Sequence, residues 1–395
     1  MPDIRQGASA LAGRHAPALK RLVPPAQRTR AWALFYRALP AAGKASTLAR
    51  RTRGMAGFCE RQGSPLYAHL LRVAADDLDA RGACWRALQE YASRASPPPP
   101  AFGLAFMAAV HRVVLETPGN ALEAFYPSVG GTADIERVGP AFLEVVDRHR
   151  TRIGELMQAE VQTNEVARSR VLLGGFLLAA RAMQLPLRVL EFGASAGLNL
   201  RWDHYRYEIG GATWGDPGSP VRLTDGFVEG APPLGLTAEV AERRGCDLAP
   251  IDPRSPDGQH KLISHVWADQ LDRVERLRAA FEVAAHVDAP VDQGDAPAWV
   301  AEMLREPVPG RATVIFDTCM MEYLDASARE DIHRTIGAAG ARATPEHPLA
   351  WLHLAPGPPG GEEELHLTTW PGGERLLLAT CDPYARQARW KGPAA

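Results

Sequence analysis

The stretch Val189-Leu-Glu-Phe-Gly-Ala-Ser-Ala-Gly-Leu-Asn199 joins a short apolar segment to a loop of small residues. A short apolar run that ends in a glycine-containing turn is typical of a buried strand. Almost every earlier segment has the apolar spacing of a helix, so we expect Leu187–Phe192 to be the first strand of the chain. A helical region therefore precedes a sheet whose first strand ends in a tight loop.

Further apolar segments follow the loop and alternate with helical patterns. A helix is predicted at Ala296–Glu306, and Pro371-Gly-Gly373 is predicted to turn a terminal β-hairpin. This alternation favours an α/β fold with a Rossmann-like, doubly wound and mainly parallel sheet. The further strands are predicted at Ala289–Asp292, Thr313–Phe316, Leu349–Leu354, Glu364–Thr368 and Glu374–Thr380.

A length of 395 residues suggests about two domains. We expect residues 1–54 to form a basic extension, because residues 1–55 contain 11 Lys and Arg and one acidic residue. A helical domain is predicted at 55–165 and the α/β domain at 166–395. Residues 203–260 are rich in Gly, Pro and Asp, and they are interpreted as an insertion with short antiparallel strands.

The helical region contains several local signals. Ser64-Pro65 predicts a helix start, and Ala101–Glu116 predicts a buried helix whose His111 belongs to a core or an interface. Residues Phe142–Gln184 are interpreted as two helices separated by Gln162-Thr-Asn-Glu165. In that segment Thr163 or Asn164 is either the N-cap of the second helix or part of a ligand site.

Charge and cysteine content exclude several classes of protein. The formal net charge of −2 gives no indication of a nucleic-acid partner. The five cysteines are scattered without a C-x-x-C pair, which argues against a zinc site or a disulfide framework and favours a cytoplasmic protein. No apolar run reaches the roughly 18 to 20 residues of a membrane span. We predict no metal site and no membrane partner.

The loop itself fits two different kinds of chemistry. As G-x-S-x-G it resembles a hydrolase nucleophile elbow, with Ser195 as nucleophile and Asp317 and His353 as candidate partners. As E-x-G-x-x-x-G after a first strand it is a cofactor-binding loop with Glu191 at the strand end. Ser195 replaces the glycine that would approach a pyrophosphate, so a cofactor without pyrophosphate is favoured, such as S-adenosylmethionine.

The motifs identify the chain as a relative of a known family. The loop is similar to the first motif of class I S-adenosylmethionine-dependent methyltransferases, and residues from about 55 to the end resemble a bacterial family known as domain of unknown function 2332. The motifs that carry this resemblance are Gln162-Thr-Asn-Glu165, Glu191–Asn199, Asp203-His-Tyr-Arg-Tyr207, Arg244-Gly-Cys-Asp247, Trp267-Ala-Asp-Gln270, Gly294-Asp295 and Trp390.

The resemblance implies a cofactor site that binds S-adenosylmethionine at successive strand ends. The methionine and ribose end would contact the loop, Asp247 or else Glu208 would bind the ribose, and Asp295 would meet the adenine. Asp247 has the better local pattern. The implied cofactor-binding residues are Glu191, Gly193, Ala194, Ser195, Gly197, Asn199, Asp247, Asp295 and Ala296.

The resemblance also places the acceptor after the fourth strand. Asp317, Glu322 and Tyr323 are the catalytic candidates, with ordinary helix-start polarity as the alternative. The candidate substrate contacts are Gln162, Asn164, Glu165, Arg168, Tyr205, Tyr207 and Trp267, with core packing as the alternative for the aromatic residues. The expected function is a methyltransferase for a small-molecule hydroxyl or carboxylate. The alternatives are a serine hydrolase and a non-catalytic binding module, and a peptide acceptor stays open. The oligomeric state is not predicted.

Overall fold

A computed structural model describes residues 39–93, 101–158, 162, 164–358 and 361–393 of the chain. These residues form two compact units. The first unit contains the described residues up to Gln162 together with His260–Val274, and the second contains the others. Within the described ranges, no helix has both the length and the apolarity that a membrane crossing needs. Most of the predicted basic extension lies outside the described residues.

The first unit is helical. Ser64 begins a helix as predicted, because its Oγ accepts a hydrogen bond from the backbone N–H of Tyr67 at 3.3 Å. His111 is fully buried, with Nε2 2.8 Å from Ser128 Oγ, so it occupies the predicted core position. The helices are α1 (Ala41–Arg61), α2 (Pro65–Ala80), α3 (Ala83–Ser93), α4 (Phe102–Glu116), α5 (Val138–Arg148) and α6 (Arg150–Leu156).

The second unit is built on a large, mostly parallel sheet, and a mixed α/β fold is therefore confirmed. The described helices from here on are α7 (Arg168–Met183), α8 (Pro256–Ser264), α9 (Leu271–His286), α10 (Ala296–Met303) and α11 (Ala326–Ala341). Of these, α8 and α9 contain residues of both units. The strands are β1 (Leu187–Phe192), β2 (Arg206–Ile209), β3 (Ala212–Gly215), β4 (Arg222–Thr224), β5 (Phe227–Glu229), β6 (Val240–Asp247), β7 (Val291–Gln293), β8 (Ala312–Thr318), β9 (Leu349–Pro356), β10 (Glu363–Trp370), β11 (Glu374–Cys381) and β12 (Ala388–Trp390).

The order of the main sheet is β5-β12-β11-β10-β9-β8-β1-β6-β7. The run from β9 to β7 is parallel throughout, whereas β9 to β12 form an antiparallel meander. Leu187–Phe192 is therefore a central strand, as its apolar composition predicts. Glu191 is in register with Gly245 on β6 and with Phe316 on β8.

Helices pack on both faces of the sheet. On one face, Trp299 of α10 and Ile332 of α11 join Ile315 and Trp351 in a buried cluster. On the other face, α7 contributes Phe176, whose ring meets that of Phe316 edge-on at 5.2 Å between centroids. Both faces of β1 and β8 are therefore covered, and their carboxyl ends remain as the place where loops converge.

The predicted insertion is shorter than its predicted range of 203–260. It contains a small sheet of order β3-β2-β4, in which β2 pairs antiparallel with β3 and parallel with β4. Strand β6 belongs instead to the main sheet beside β1. The sequence of β6 is charged, but Arg243 pairs with Asp203 at 2.6 Å and Arg244 pairs with Asp292 at 2.7 Å. These ion pairs allow a strand without an apolar pattern.

The loop after β1 leads into a short 3-10 helix, Asn199–His204. Two local predictions are wrong. The region Phe142–Gln184 contains parts of three helices and not two, because α5 ends at Arg148 and α6 begins directly afterwards. Helix α7 starts at Arg168 without a side-chain cap, so the N-cap predicted at Thr163 or Asn164 is absent there; Thr163 lies outside the described residues.

Candidate functional site

The candidate site lies where the parallel strands β7, β6, β1 and β8 end at one edge of the sheet. The loop after β1 has left-handed backbone at Gly193, Ser195 and Gly197, with φ values of 72°, 53° and 64°. Glycine adopts this conformation without a steric penalty, whereas serine is strained in it. A strained residue in a tight loop at a strand end is a feature of ligand-binding sites.

Hydrogen bonds from two sides hold the loop in place. Asn164 donates from Nδ2 to the carbonyl oxygen of Ala194 at 3.1 Å, and its Oδ1 accepts from the N–H of Leu198 at 3.3 Å. At the end of β6, Asp247 Oδ2 accepts from the N–H of Ser195 at 2.9 Å. Asn164 therefore fixes both ends of the loop, and Asp247 fixes its centre.

Glu191 is the most unusual group at this edge. It is 1% exposed, and its Oε2 has no hydrogen-bond partner among the described residues. Burial raises the pKa of the Glu191 carboxyl well above its ordinary value of 4.5, and the charges of Asp247 and Asp317 raise it further. A buried polar atom without a partner is rare in proteins, and in Glu191 it lies at the strand edge where the loop residues converge.

Arg168, at the start of α7, connects two segments that follow strands. Its Nη1 donates to the carbonyl oxygen of Thr318 at 3.3 Å, and its Nη2 donates to that of Pro383 at 3.2 Å. Left-handed backbone occurs in both segments, at Cys319 with φ 54° and at Ala385 with φ 51°. Arg168 therefore stabilises strained backbone beside the loop.

Asp317 is completely buried near the end of β8 and has two donors around it. The Nδ1 atom of His353 lies 2.9 Å from Oδ1, and the indole N–H of Trp351 donates to the same oxygen at 3.2 Å. Burial lowers the pKa of His353, but the charge and hydrogen bond of Asp317 outweigh it, so that pKa lies above 6.5. With Nδ1 held by Asp317, the neutral ring presents Nε2 as its proton acceptor.

Ser195 does not complete a triad with this pair. Its Oγ is buried without a hydrogen-bond partner among the described residues. Its loop follows β1 and is held by Asp247 at the end of β6, on the side of β1 away from β8 and β9, which carry Asp317 and His353. Two of the three residues of the suggested hydrolase triad, Asp317 and His353, therefore form a pair, and Ser195 is not hydrogen-bonded to it.

Several predicted ligand contacts lie inside the protein instead. Asn199 accepts from Ser169 Oγ at 2.8 Å, and the hydroxyls of Tyr205 and Tyr207 donate to backbone carbonyls. All three side chains are at most 1% exposed, so core packing describes the two tyrosines. Trp267 also packs in a core, stacked on Tyr67 with 6.0 Å between ring centroids in the first unit.

The remaining predicted residues are distributed over the surface and the two units. Asp295 is exposed beside the buried Ala296 at the start of α10, and Glu322 and Tyr323 lie in an exposed 3-10 helix after β8. Glu165 is buried and accepts from the N–H of Ala167 at 3.1 Å. Gln162 belongs to the first unit.

Sequence comparison identifies the family. A family model described as an uncharacterized protein conserved in bacteria, DUF2332, matches residues 49–390. The chain belongs to this family. No curated protein and no solved structure matches the DUF2332 chain.

One further residue of the DUF2332 chain approaches the same edge without a signal in the sequence. Glu363 opens β10, and its Oε2 lies 3.6 Å from the Sγ of Cys319. Burial raises the pKa of Glu363, and the charge of Glu322 adds to the rise. His353 was a candidate partner of Ser195 from the sequence, and its alignment with Asp317 depends on the register between β8 and β9. Sequence spacing alone does not bring Glu363 to the site.

Proposed function

We propose that this DUF2332 protein is an S-adenosylmethionine-dependent methyltransferase that acts on a small-molecule acceptor. The observation that carries the proposal is the buried carboxylate of Glu191, which has an oxygen without a partner among the described residues and precedes a loop of left-handed backbone. A cationic ligand supplies what this carboxylate lacks. S-adenosylmethionine carries positive charge at both its sulfonium and its ammonium group.

The strand order supports a Rossmann-like, class I methyltransferase-like core. Counted along the chain, the parallel strands β1, β6, β7, β8 and β9 stand in the spatial order third, second, first, fourth, fifth. This is the order of the doubly wound nucleotide-binding sheet, and ligands bind there beyond the carboxyl ends of the strands next to the first. The short 3-10 helix after the loop is a departure from that pattern.

The residues at this edge fit the cofactor. Glu191 would hold a cationic group, and the left-handed loop would allow close approach of its backbone. Asp247 and Asp295 follow the next two strands, where ribose and adenine binding is expected. Both oxygens of Asp247 already accept backbone N–H groups, from Ser195 and Ala249, at 2.9 Å. Asp247 ends β6 beside β1, so it is the acid that we propose for the ribose.

When bound, the cofactor supplies a methyl group on a good leaving group. The chain has to orient the acceptor, exclude water and accept a proton if the acceptor is a hydroxyl. Asp317 acts as a positioning residue in this proposal, because its carboxylate is buried against His353 and Trp351. We infer that His353 Nε2 takes the proton, and that the exposed Glu322 and Tyr323 contact the acceptor. A hydroxyl acceptor is therefore favoured over a carboxylate.

Calorimetric titration with S-adenosylmethionine and S-adenosylhomocysteine tests the proposal. We expect micromolar binding of both ligands that Glu191→Ala abolishes. The control is Glu374→Gln, which changes an exposed carboxylate at the start of β11. Absence of binding to the folded wild-type protein would overturn the proposal. Binding without methyl transfer to any phenol, alcohol or carboxylate in a panel would instead indicate a non-catalytic binding module.

A further inference from the structure

A second site lies at the opposite edge of the main sheet. A cavity of about 310 Å³ opens where β1, β8 and β9 begin, beneath the ends of α10 and α11. Strand β1 has six residues, which separates this cavity from the loop edge by about 20 Å. The cavity is therefore distinct from the proposed methyltransferase site. Its volume is at the lower end of the range for small-molecule sites.

The walls of the cavity combine apolar side chains with guanidinium groups. Its charged lining residues are four arginines and one acid: Arg188, Arg305, Arg311, Arg342 and Glu306. Apolar contacts come from Leu304, Val308 and Leu349 among others. A cavity of this composition matches an organic anion that has an apolar body.

Two of the guanidinium groups are available to a ligand. Arg188 is near Glu242 and Arg305 is paired with Glu302. By contrast, Arg311 and Arg342 have no carboxylate partner within the described residues, and they donate only to carbonyl oxygens. Arg311 Nη1 lies 3.2 Å from the oxygen of Gly310, and Arg342 Nη2 lies 3.0 Å from that of Leu304. Each guanidinium has five N–H donors, so most of these donors lack a protein acceptor.

His347 provides an independent observation at the same place. Its Nδ1 is buried without a hydrogen-bond partner among the described residues, and the ring lines the cavity. Buried polar atoms are nearly always paired, so this nitrogen is an exception, and the ring of His347 lies where it would report a ligand in the cavity.

Two features oppose the arginines and set the expected strength. Helices α10 and α11 both end near the cavity, and each C-terminus carries about half a negative charge. Glu306 adds a full negative charge at the rim. Charge-assisted hydrogen bonds from two guanidiniums then support a dissociation constant on the order of 1 mM or somewhat below.

We propose that this cavity binds a small organic anion, a phosphate monoester or a carboxylate with an apolar body, between Arg311 and Arg342. Phenyl phosphate is the first probe, and isothermal titration without any cofactor measures its binding. Inorganic phosphate, benzoate and neutral benzyl alcohol are the comparison ligands. Tighter binding of phenyl phosphate than of benzoate assigns the site to phosphate esters, and the reverse order assigns it to carboxylates.

The variants decide whether the cavity is responsible. We expect at least tenfold weaker binding in Arg311→Ala and in the double variant with Arg342→Ala, and tighter binding in Glu306→Gln. Arg334→Ala is the matched control, because Arg334 is an exposed arginine of α11 paired with Asp331 and outside the cavity. Arg311→Ala removes only one hydrogen bond to a carbonyl oxygen, so the single variant still tests the proposal if the double variant does not fold.

Three results would overturn the proposal. The first is equal affinity in wild-type and Arg311→Ala protein, and the second is binding of benzyl alcohol as strong as that of both anions. The third is the absence of a shift in the His347 ring resonances when phenyl phosphate or benzoate is added at 10 mM, well above the dissociation constant expected from about two charged contacts. None of these measurements depends on methyl transfer, so the two proposals fail separately.

Discussion

Replacing Glu191 by glutamine should stabilise the free protein and weaken its binding to S-adenosylmethionine. The carboxylate is 1% exposed with one oxygen unpartnered among the described residues. A buried polar group in that condition costs about 1–3 kcal/mol. An amide of nearly the same shape removes the charge, so at pH 8 we expect a gain of about that size, or roughly 2–9 °C in the unfolding midpoint.

The pH dependence gives this prediction its sign. Because the pKa of Glu191 in the folded protein is raised above 4.5, the folded state holds a proton that the unfolded state releases as pH rises. The wild-type protein therefore loses this contribution to its stability as pH increases above 4.5. The Gln variant has no such loss, so its advantage should be small at pH 5 and largest at pH 8.

Thermal unfolding at pH 5, 6.5 and 8 and calorimetric titration of S-adenosylmethionine measure the two effects. Loss of one charge-assisted hydrogen bond should lower the affinity for S-adenosylmethionine by about 10- to 100-fold. Glu374→Gln should change neither quantity. A Glu191→Gln protein that is less stable at pH 8 would refute the argument from burial. Unchanged affinity for the ligand would refute the assignment of Glu191 to the cofactor.

Three other substitutions test the surrounding groups. Asn164→Ala should cost about 1–3 kcal/mol of stability and weaken the binding of S-adenosylmethionine at least tenfold, because it removes the hydrogen bonds at both ends of the loop. Unchanged stability and unchanged affinity would contradict this role of Asn164. Ser195→Ala should leave that affinity unchanged, and a fluorophosphonate should label neither protein; labelling of the wild type alone would favour the hydrolase. Asp317→Asn should lower the NMR-measured pKa of His353. In the wild-type protein the Asp317–His353 ion pair contributes fully to stability below pH 6.5, and this contribution is lost as pH rises through the raised pKa of His353. The difference in stability between pH 6 and pH 8 should therefore be smaller in the variant.

The first strand and its loop were predictable because their signals are local. An apolar run with glycine directly after it specifies a buried strand and a turn wherever the chain places it. The same reasoning failed for β6, whose Arg243 and Arg244 look like surface residues until Asp203 and Asp292 are seen beside them. Ion pairs between distant segments leave no periodic trace in the sequence.

The candidate site depends on the register of the sheet, which the sequence does not show directly. Asp317 and His353 are separated by 36 residues, and they meet because the parallel register of β8 and β9 places them opposite each other. Sequence order suggested both as partners of Ser195, but the Oγ of that serine has no hydrogen-bond partner among the described residues. A shift of one residue in register would move His353 to the other face of the sheet and dissolve the pair.

The charges along the central strands connect the two proposed sites. Strand β1 has Arg188 near its beginning and Glu191 near its end, and β8 follows Arg311 and carries Asp317 before its last residue. Parallel alignment of β1 and β8 places Glu191 and Asp317 toward one edge of the sheet and Arg188 and Arg311 toward the other. An electrostatic field of this direction favours a cation at the loop edge and an anion at the opposite edge. The same polarity therefore argues for a sulfonium cofactor beside Glu191 and for an anionic ligand beside Arg311.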